Sequence, residues 1–383
     1  MLSFIIPTRN RAESLCSTIR SLLEMPDFGD SEIVVVDNNS SDHTREIVDR
    51  FQQAKYVKEP RLAFSKARNT GAKNALGKFL AFIDDDVIVR AGTVTEVKRI
   101  MDEFPDCGII AGRIDEKLES PPPDWVWGCQ KEFNGWSLYN PQTFPHLGFG
   151  FQQVESASGP LMIVEKSIYD KVKGFPPDTV GVETDDSNFS FRKLYVGPGD
   201  YGICHLINGG GKKIFYSPKI ACLHVTNETR FKICFWRSRL IGEAIHCAVT
   251  RRKFFQWSKW RLWREKTKCM QNYKNIVSKL RSLYYSERFN KFKNNSYRMH
   301  PDELGFHFHS TYVIVDRILS ANKNLTETLW QLGKDGVPDT VTVSELPIPQ
   351  NFLNILSDNF MYDDNPIESL DDLEKRIAAH QLI

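Results

Sequence analysis

Residues Phe79-Leu80-Ala81-Phe82-Ile83 run without a break into Asp84-Asp85-Asp86. Five apolar residues in a row, followed by residues depleted from strands, predict a buried strand that stops at a polar edge. Three adjacent carboxylates repel one another, so in a folded protein they usually need a cation. Hard oxygen ligands on a short turn suit Mg²⁺ or Mn²⁺, above all where phosphates complete the shell. A solvated acidic loop is the alternative that the triplet alone leaves open.

The preceding residues set that strand in a series. Leu2–Ile6, Ile33–Val36 and Lys55–Val57 read as strands, and Arg11–Leu23, His43–Phe51 and Phe64–Leu76 as helices, the last closed by Gly77. Strand–helix alternation at this spacing predicts an α/β fold, a mostly parallel sheet flanked by helices on both faces. Ligands of such sheets bind at the carboxyl ends of the strands. Three polar clusters fall there: Pro7-Thr8-Arg9-Asn10, Asp37-Asn38-Asn39-Ser40 and the aspartate triplet. The sequence lacks both the phosphate loop GxxxxGK[ST] and a GxGxxG after the first strand, which excludes those two modes of nucleotide binding. Gly209-Gly210-Gly211-Lys212 reads as a turn before a strand at Lys213–Tyr216. A donor bound here is held by carboxylates, amides and a metal.

Length and charge divide the remainder. The 383 residues carry a net charge of only +2, but residues 230–298 hold 19 Lys/Arg against 3 Asp/Glu, and residues 301–383 hold 5 against 14. The expected organisation is a catalytic domain over 1–229, a basic, aromatic-rich helical segment over 230–300, and an acidic region over 301–383 packed on or beside it. Helical pieces are expected at Tyr312–Leu319 and Asn351–Leu356. Eight cysteines form no CxxC pair and read as reduced thiols of a cytoplasmic protein. Met1-Leu2-Ser3-Phe4-Ile5-Ile6-Pro7 reads as a first strand, not as a signal peptide. No apolar run nears the roughly 20 residues of a membrane span. The basic segment suits peripheral contact with the cytoplasmic membrane face. A helical pair packed on the catalytic domain is the alternative, and nucleic acid a weaker one.

FIIPTRNRAESL, IVVVDNNSSDHT and AFSKARNTGAKNALGKFLAFIDDDV resemble, in that order, the opening of a family 2 glycosyltransferase of the GT-A fold. The resemblance continues through Gly112-Arg113-Ile114, Pro121-Pro122-Pro123-Asp124-Trp125, Ser158-Gly159-Pro160-Leu161-Met162-Ile163 and Lys173-Gly174-Phe175, and covers about residues 1–230. It implies an inverting, metal-dependent transfer of a sugar from a nucleoside diphosphate sugar, UDP by expectation, to a glycan or lipid-linked hydroxyl. Asp86 is then the implied metal ligand, with His224 on the metal or the diphosphate. Asp85 is assigned to ribose or metal, and Asp84 to a structural place beside the nucleotide. Asp37, Asn39, Arg68, Pro7, Thr8 and Arg9 are the implied donor-binding residues.

Glu183-Thr184-Asp185-Asp186-Ser187-Asn188-Phe189-Ser190-Phe191-Arg192 resembles the family's acidic pair followed by a helix. It makes Asp186 the implied base, with Asp185 and Glu183 as rivals, because the sequence departs from the family pattern at Asp185, Asn188 and Phe189. An extra loop is expected at roughly 195–207. Trp125, Trp127, Trp136 and Phe149-Gly150-Phe151 read either as platforms for acceptor sugars or as loop packing. Two other classes remain open at this stage. A nucleotidyltransferase also uses carboxylate-bound metal, though PTRNRAES is a poor triphosphate loop. A catalytically inactive glycan-binding module is the other.

Overall fold

The structure is a computed structural model. It describes residues 1–133, 138–148, 150–183, 191–195, 197–285, 301–322, 324–338, 345–357, 367 and 369–379, with the side chains of 128, 131–133, 180–183, 191–195, 284–285, 301, 304, 354–357 and 379 excepted. The elements run β1 (Leu2–Thr8), α1 (Ala12–Leu23), β2 (Glu32–Asp37), α2 (Thr44–Asp49), β3 (Ala54–Lys58), β4 (Arg61–Leu62), α3 (Phe64–Asn74), β5 (Phe79–Ile83) and β6 (Val87–Val89). There follow α4 (Thr93–Glu103), β7 (Cys107–Leu118), α5 (Asp124–Phe133), β8 (Gln152–Val154), β9 (Leu161–Glu165), α6 (Lys166–Lys171), β10 (Thr179–Glu183), β11 (Phe191–Tyr195), α7 (Gly199–Gly209) and β12 (Lys213–Thr226). The C-terminal part comprises α8 (Ile233–Lys253), α9 (Lys259–Tyr285), α10 (Pro301–Ala321), α11 (Leu325–Asp335), β13 (Val337–Pro338), α12 (Gln350–Ser357) and α13 (Leu370–Ala379).

The main sheet has the order β3-β2-β1-β5-β9-β7-β12-β6, with β8 beside β12. Its first four strands are parallel, as the strand–helix alternation predicts. Beyond β5 the sheet becomes mixed. β9 runs antiparallel to both β5 and β7, and β6 antiparallel to β12. The connection after β5 bears on β6 alone. Parallel neighbours need a crossover of a dozen or more residues, whereas only Asp84, Asp85 and Asp86 separate β5 from β6. The chain therefore leaves β5 and pairs elsewhere, at the far edge of the sheet.

Continuous apolar strands make this sheet a core sealed on both faces. All five residues of β5 and all seven of β1 are buried. Helix α1 lays Leu15, Ile19 and Leu22 against it at helical spacing. Helix α3 comes closer than most. A Cβ on Gly71 would stand 2.4 Å from Ile5 Cγ2 and 2.9 Å from Val36 Cγ2, so only glycine admits this approach.

Two expectations fail between residues 190 and 210. Residues 191–195 form β11, paired antiparallel with β10, where the resemblance implies a helix. The segment expected as an extra loop contains helix α7. Its Ile203 and Ile207, four residues apart, are both buried, so the apolar spacing outweighed the Gly/Pro signal at 197–199.

The C-terminal helices build a second apolar cluster around Ile245, Tyr312, Leu329 and Phe352. Ion pairs join its basic and acidic parts, among them Arg252–Asp316 at 2.5 Å and Arg281–Glu374 at 2.6 Å. Val337 pairs with Leu62, and Arg61 donates to the carbonyls of Asp335 and Gly336 at 2.6 and 2.8 Å. The C-terminal part is thereby stitched to the first sheet's own connection. Trp125 is fully buried with Trp236 in a third cluster, so it serves packing; Trp127 is exposed. Trp136 and Phe149 lie outside the described residues.

Gly71→Ala tests the close approach. Gly→Ala inside a helix normally stabilises by up to about 1 kcal/mol. Here the forced shift of Ile5 and Val36 is expected to reverse the sign and cost about 1–3 kcal/mol in urea unfolding.

Candidate active site

The short β5–β6 connection makes the site. Because β6 pairs with β12 in the register Val87↔His224, and Val225 N–H donates to the Asp86 carbonyl at 2.8 Å, His224 is carried to the aspartate corner. Oxygens of Asp84 and Asp86 and a ring nitrogen of His224 lie within 4.8 Å of one another. Two carboxylates and an imidazole fit a divalent ion, and the nitrogen suits Mn²⁺ better than Mg²⁺. Asp84, which the resemblance assigns a structural place, thus belongs to this cluster, and Asp85 stands beside it, bonded to Thr8 and Arg11.

The corner's three carboxylates each meet protein cations. Asp84 Oδ1 accepts from Arg68 at 3.2 Å. Asp85 accepts from Thr8 Oγ1 at 2.6 Å and Arg11 at 2.7 Å. Asp86 lies 2.9 Å from Arg11, 3.1 Å from Arg230 and 3.1 Å from His224 Nε2. Burial opposes ionisation of all three. At Asp86 it is outweighed by the hydrogen bond and charge of His224 and by the charges of Arg11 and Arg230, which hold this carboxyl far below its usual range. At Asp84 burial prevails over Arg68, and at Asp85 over Arg11, so both are raised. Arg11 is raised by the charge of Asp85, against its own burial, and then by Asp86. Arg230 is lowered by burial.

Arg68 is the deepest of these cations, with its side chain 1% exposed. It also pairs with Asp200 in the first turn of α7, and its guanidinium lies 4.1 Å from the Phe64 ring centre. Asp178 adjoins the pair, pushed up to about 6 by burial and then by the charge of Asp200. A Cβ on Gly159 would meet Asp200 Oδ2 at 2.2 Å and Arg68 at 2.7 Å. The site thus includes Arg11, Asp178, Asp200 and Arg230, none of which sequence reasoning named. Arg11 stood inside PTRNRAES, Arg230 looked like the first charge of a basic run, and Asp200 fell in the supposed loop.

The first two strands end in a linked pair of loops. Asn10 and Asn39 take φ of +53° and +65°, a conformation asparagine tolerates better than most residues. Asn10 N–H donates to Ser40 Oγ at 3.0 Å, and Asn10 Oδ1 accepts from Ser41 N–H at 2.7 Å. Asp37 is buried; it accepts from Ser40 N–H at 2.7 Å and Tyr56 Oη at 2.6 Å. Burial, then Asp37, pushes the Tyr56 phenol up to about 12. Pro7 and Thr8 are buried at the end of β1, and Arg9 is half-buried beside them. The second acidic motif is less visible. Glu183 ends β10 opposite Phe191, and Asp185 and Asp186 lie outside the described residues.

Residues 3–172 match the profile of Glycosyl transferase family 2. A GalNAc(5)-diNAcBac-PP-undecaprenol beta-1,3-glucosyltransferase of Campylobacter jejuni is 34% identical over 108 residues, 27% of this chain and 35% of that protein. A validoxylamine A glucosyltransferase of Streptomyces hygroscopicus is 38% identical over 94 residues, 23% and 22% of the two chains. The chain thus spans about a third or less of these relatives' length. The mannosyltransferase PcManGT from Pyrobaculum calidifontis, solved in complex with GDP-Man and Mn²⁺, superimposes with a TM-score of 0.50 at 17% identity, over 84% of this chain and 87% of that one. This is the GT-A fold.

Arg68→Met is expected to leave Asp84 and Asp200 facing each other without a cation. Removing one partner of a buried ion pair costs about 3–5 kcal/mol. Urea unfolding should show a loss of about that size, largely recovered when Asp200→Asn is added to the same chain.

Proposed function

We propose that this protein is a metal-dependent, inverting glycosyltransferase. It moves a sugar from a nucleoside diphosphate sugar, UDP by preference, to a hydroxyl of a glycan or lipid-linked acceptor. One observation carries the reading: Asp84, Asp86 and His224 converge at the carboxyl ends of the parallel strands, beside the loops of Thr8 and Asp37.

Asp84, Asp86 and His224 would hold the divalent ion, which supplies Lewis-acid neutralisation of the departing diphosphate. Arg11 and Arg230 offer charged N–H donors at the same place, Arg230 largely buried and Arg11 partly open to solvent. Asp37, Asn39, Pro7, Thr8 and Arg9 line the side on which base and ribose lie, with Arg68 and Asp85 fixing the walls. Asp186 takes the acceptor proton, with Asp185 and Glu183 as the rival carboxylates next to it. A single base opposite the leaving group fits one displacement and inversion. The acceptors printed for the two relatives, an undecaprenol diphosphate glycan and validoxylamine A, differ widely. The basic helices favour a lipid-linked acceptor and a position at the cytoplasmic membrane face.

A panel of nucleotide sugars with Mn²⁺, read by nucleotide release, tests the activity. UDP release from at least one UDP-sugar is expected, abolished by chelation and by Asp86→Asn. No release from any donor rejects the enzyme reading. A general base contributes about 10²–10⁴-fold, so Asp186→Ala should fall by that factor while its donor affinity stays near wild type. Should Asp186→Ala keep its rate while Glu183→Ala loses it, the base is Glu183.

A further inference from the structure

The helices after Arg230 present a surface that neither the donor site nor the apolar core uses. From Arg251 to Tyr285 the chain carries 11 Lys/Arg and a single acid, Glu265, which lies 3.3 Å from Arg251. Within that stretch Trp260 and Trp263 are 63% and 60% exposed, far more than a packed tryptophan. They sit three residues apart on helix α9, so they share a face. Lys259, Arg261, Arg264 and Lys268 are exposed around them. The guanidinium of Arg264 lies 5.6 Å from the Trp260 ring centre, and that of Arg261 lies 3.9 Å from the Trp257 ring centre.

We propose that this face docks on an anionic phospholipid surface, with Trp260 and Trp263 entering the headgroup layer and the surrounding cations resting on lipid phosphates. Charge complementarity selects the partner. A cationic helix face crowned by two tryptophans matches a layer that is anionic outside and apolar beneath. Contact with water alone leaves both indoles solvated, which is unfavourable for so much apolar area. No described helix is long and apolar enough to cross a membrane, and the docking proposed here reaches the headgroup layer.

The turn that precedes this face touches α7, the helix that carries Asp200. Phe255, in the turn that opens onto α9, has its ring 6.1 Å from that of Tyr201, itself 54% exposed. Tyr201 follows Asp200, whose carboxylate holds Arg68, and Arg68 holds Asp84. A membrane-held acceptor would therefore reach the aspartate corner past Tyr201. This last point rests on the lipid-linked reading of the acceptor; the docking face itself rests only on the side chains.

Flotation of the full chain with vesicles tests the docking without donor or acceptor. Wild type is expected to float with phosphatidylcholine–phosphatidylglycerol vesicles, to shift its tryptophan emission to the blue, and to stay behind with phosphatidylcholine alone. Trp260→Ala/Trp263→Ala and Arg261→Glu/Arg264→Glu are each expected to bind about tenfold or more weakly. Both double variants should keep the wild-type melting temperature and wild-type donor turnover with a water-soluble acceptor. The inference is overturned if wild type ignores the anionic vesicles, or if both double variants float as wild type does. Binding of a single-stranded oligonucleotide through these residues, with no vesicle binding, overturns it as well. Vesicle binding without any nucleotide-sugar turnover would leave the docking face standing and reject the proposed activity instead.

Discussion

Everything at the candidate site follows from a connection of three residues. Asp84, Asp85 and Asp86 join a central strand to an edge strand, and so short a link forbids a parallel crossover. β6 pairs with β12 instead, which brings His224 into register with Val87. Successive side chains of the corner then meet different sets of partners: Asp84 Arg68, Asp85 Thr8 and Arg11, and Asp86 Arg11, His224 and Arg230. The acidity of the triplet is thus distributed over these partners, which is what allows three adjacent carboxylates to be folded inward at all.

Those cations explain why the site is more than a metal clamp. The triplet demanded positive charge, and the protein itself meets much of that demand. Ionisation is concentrated on Asp86, where His224, Arg11 and Arg230 converge, while burial raises Asp84 and Asp85. On the proposed reading, the same guanidiniums face a diphosphate when a donor enters. Their bonds to Asp86 then keep them oriented beforehand, and preorganised donors cost no reorganisation during reaction.

Much of the fold was legible because it rests on local signals. Apolar runs at 2–6, 33–36 and 79–83 and the helical spacing between them predict the parallel half of the sheet, and the polar clusters at its strand ends predict where the site lies. The mixed half was not legible, since the direction of β9 and the destination of β6 depend on contacts far along the chain. Helix α7 was missed because Gly197, Pro198 and Gly199 advertise a loop, while Ile203 and Ile207 are too few to announce a helix alone. Of the candidate site, Asp86 and His224 were readable from their resemblance. Arg11 and Arg230 were not, because a lone arginine in a polar run carries no sign of what it will face.

The basic segment shows how one composition signal hides several jobs. Arg230 turns inward to Asp86. Arg252 and Lys266 pair with Asp316, and Arg281 with Glu374, tying the acidic C-terminal region to the helices. The charges around Trp260 and Trp263 remain exposed. A mere solvating surface needs the charges but not the tryptophans, and a packed helix pair needs the tryptophans buried. Exposed indoles among exposed cations satisfy neither requirement, whereas a lipid headgroup layer satisfies both at once. Phe255, in the turn before that face, has its ring 6.1 Å from that of Tyr201, the chain neighbour of the Asp200 that joins Arg68 and Asp84 in one network. In the proposed reaction this network would couple the place where a membrane-borne acceptor arrives to the place where the leaving group departs.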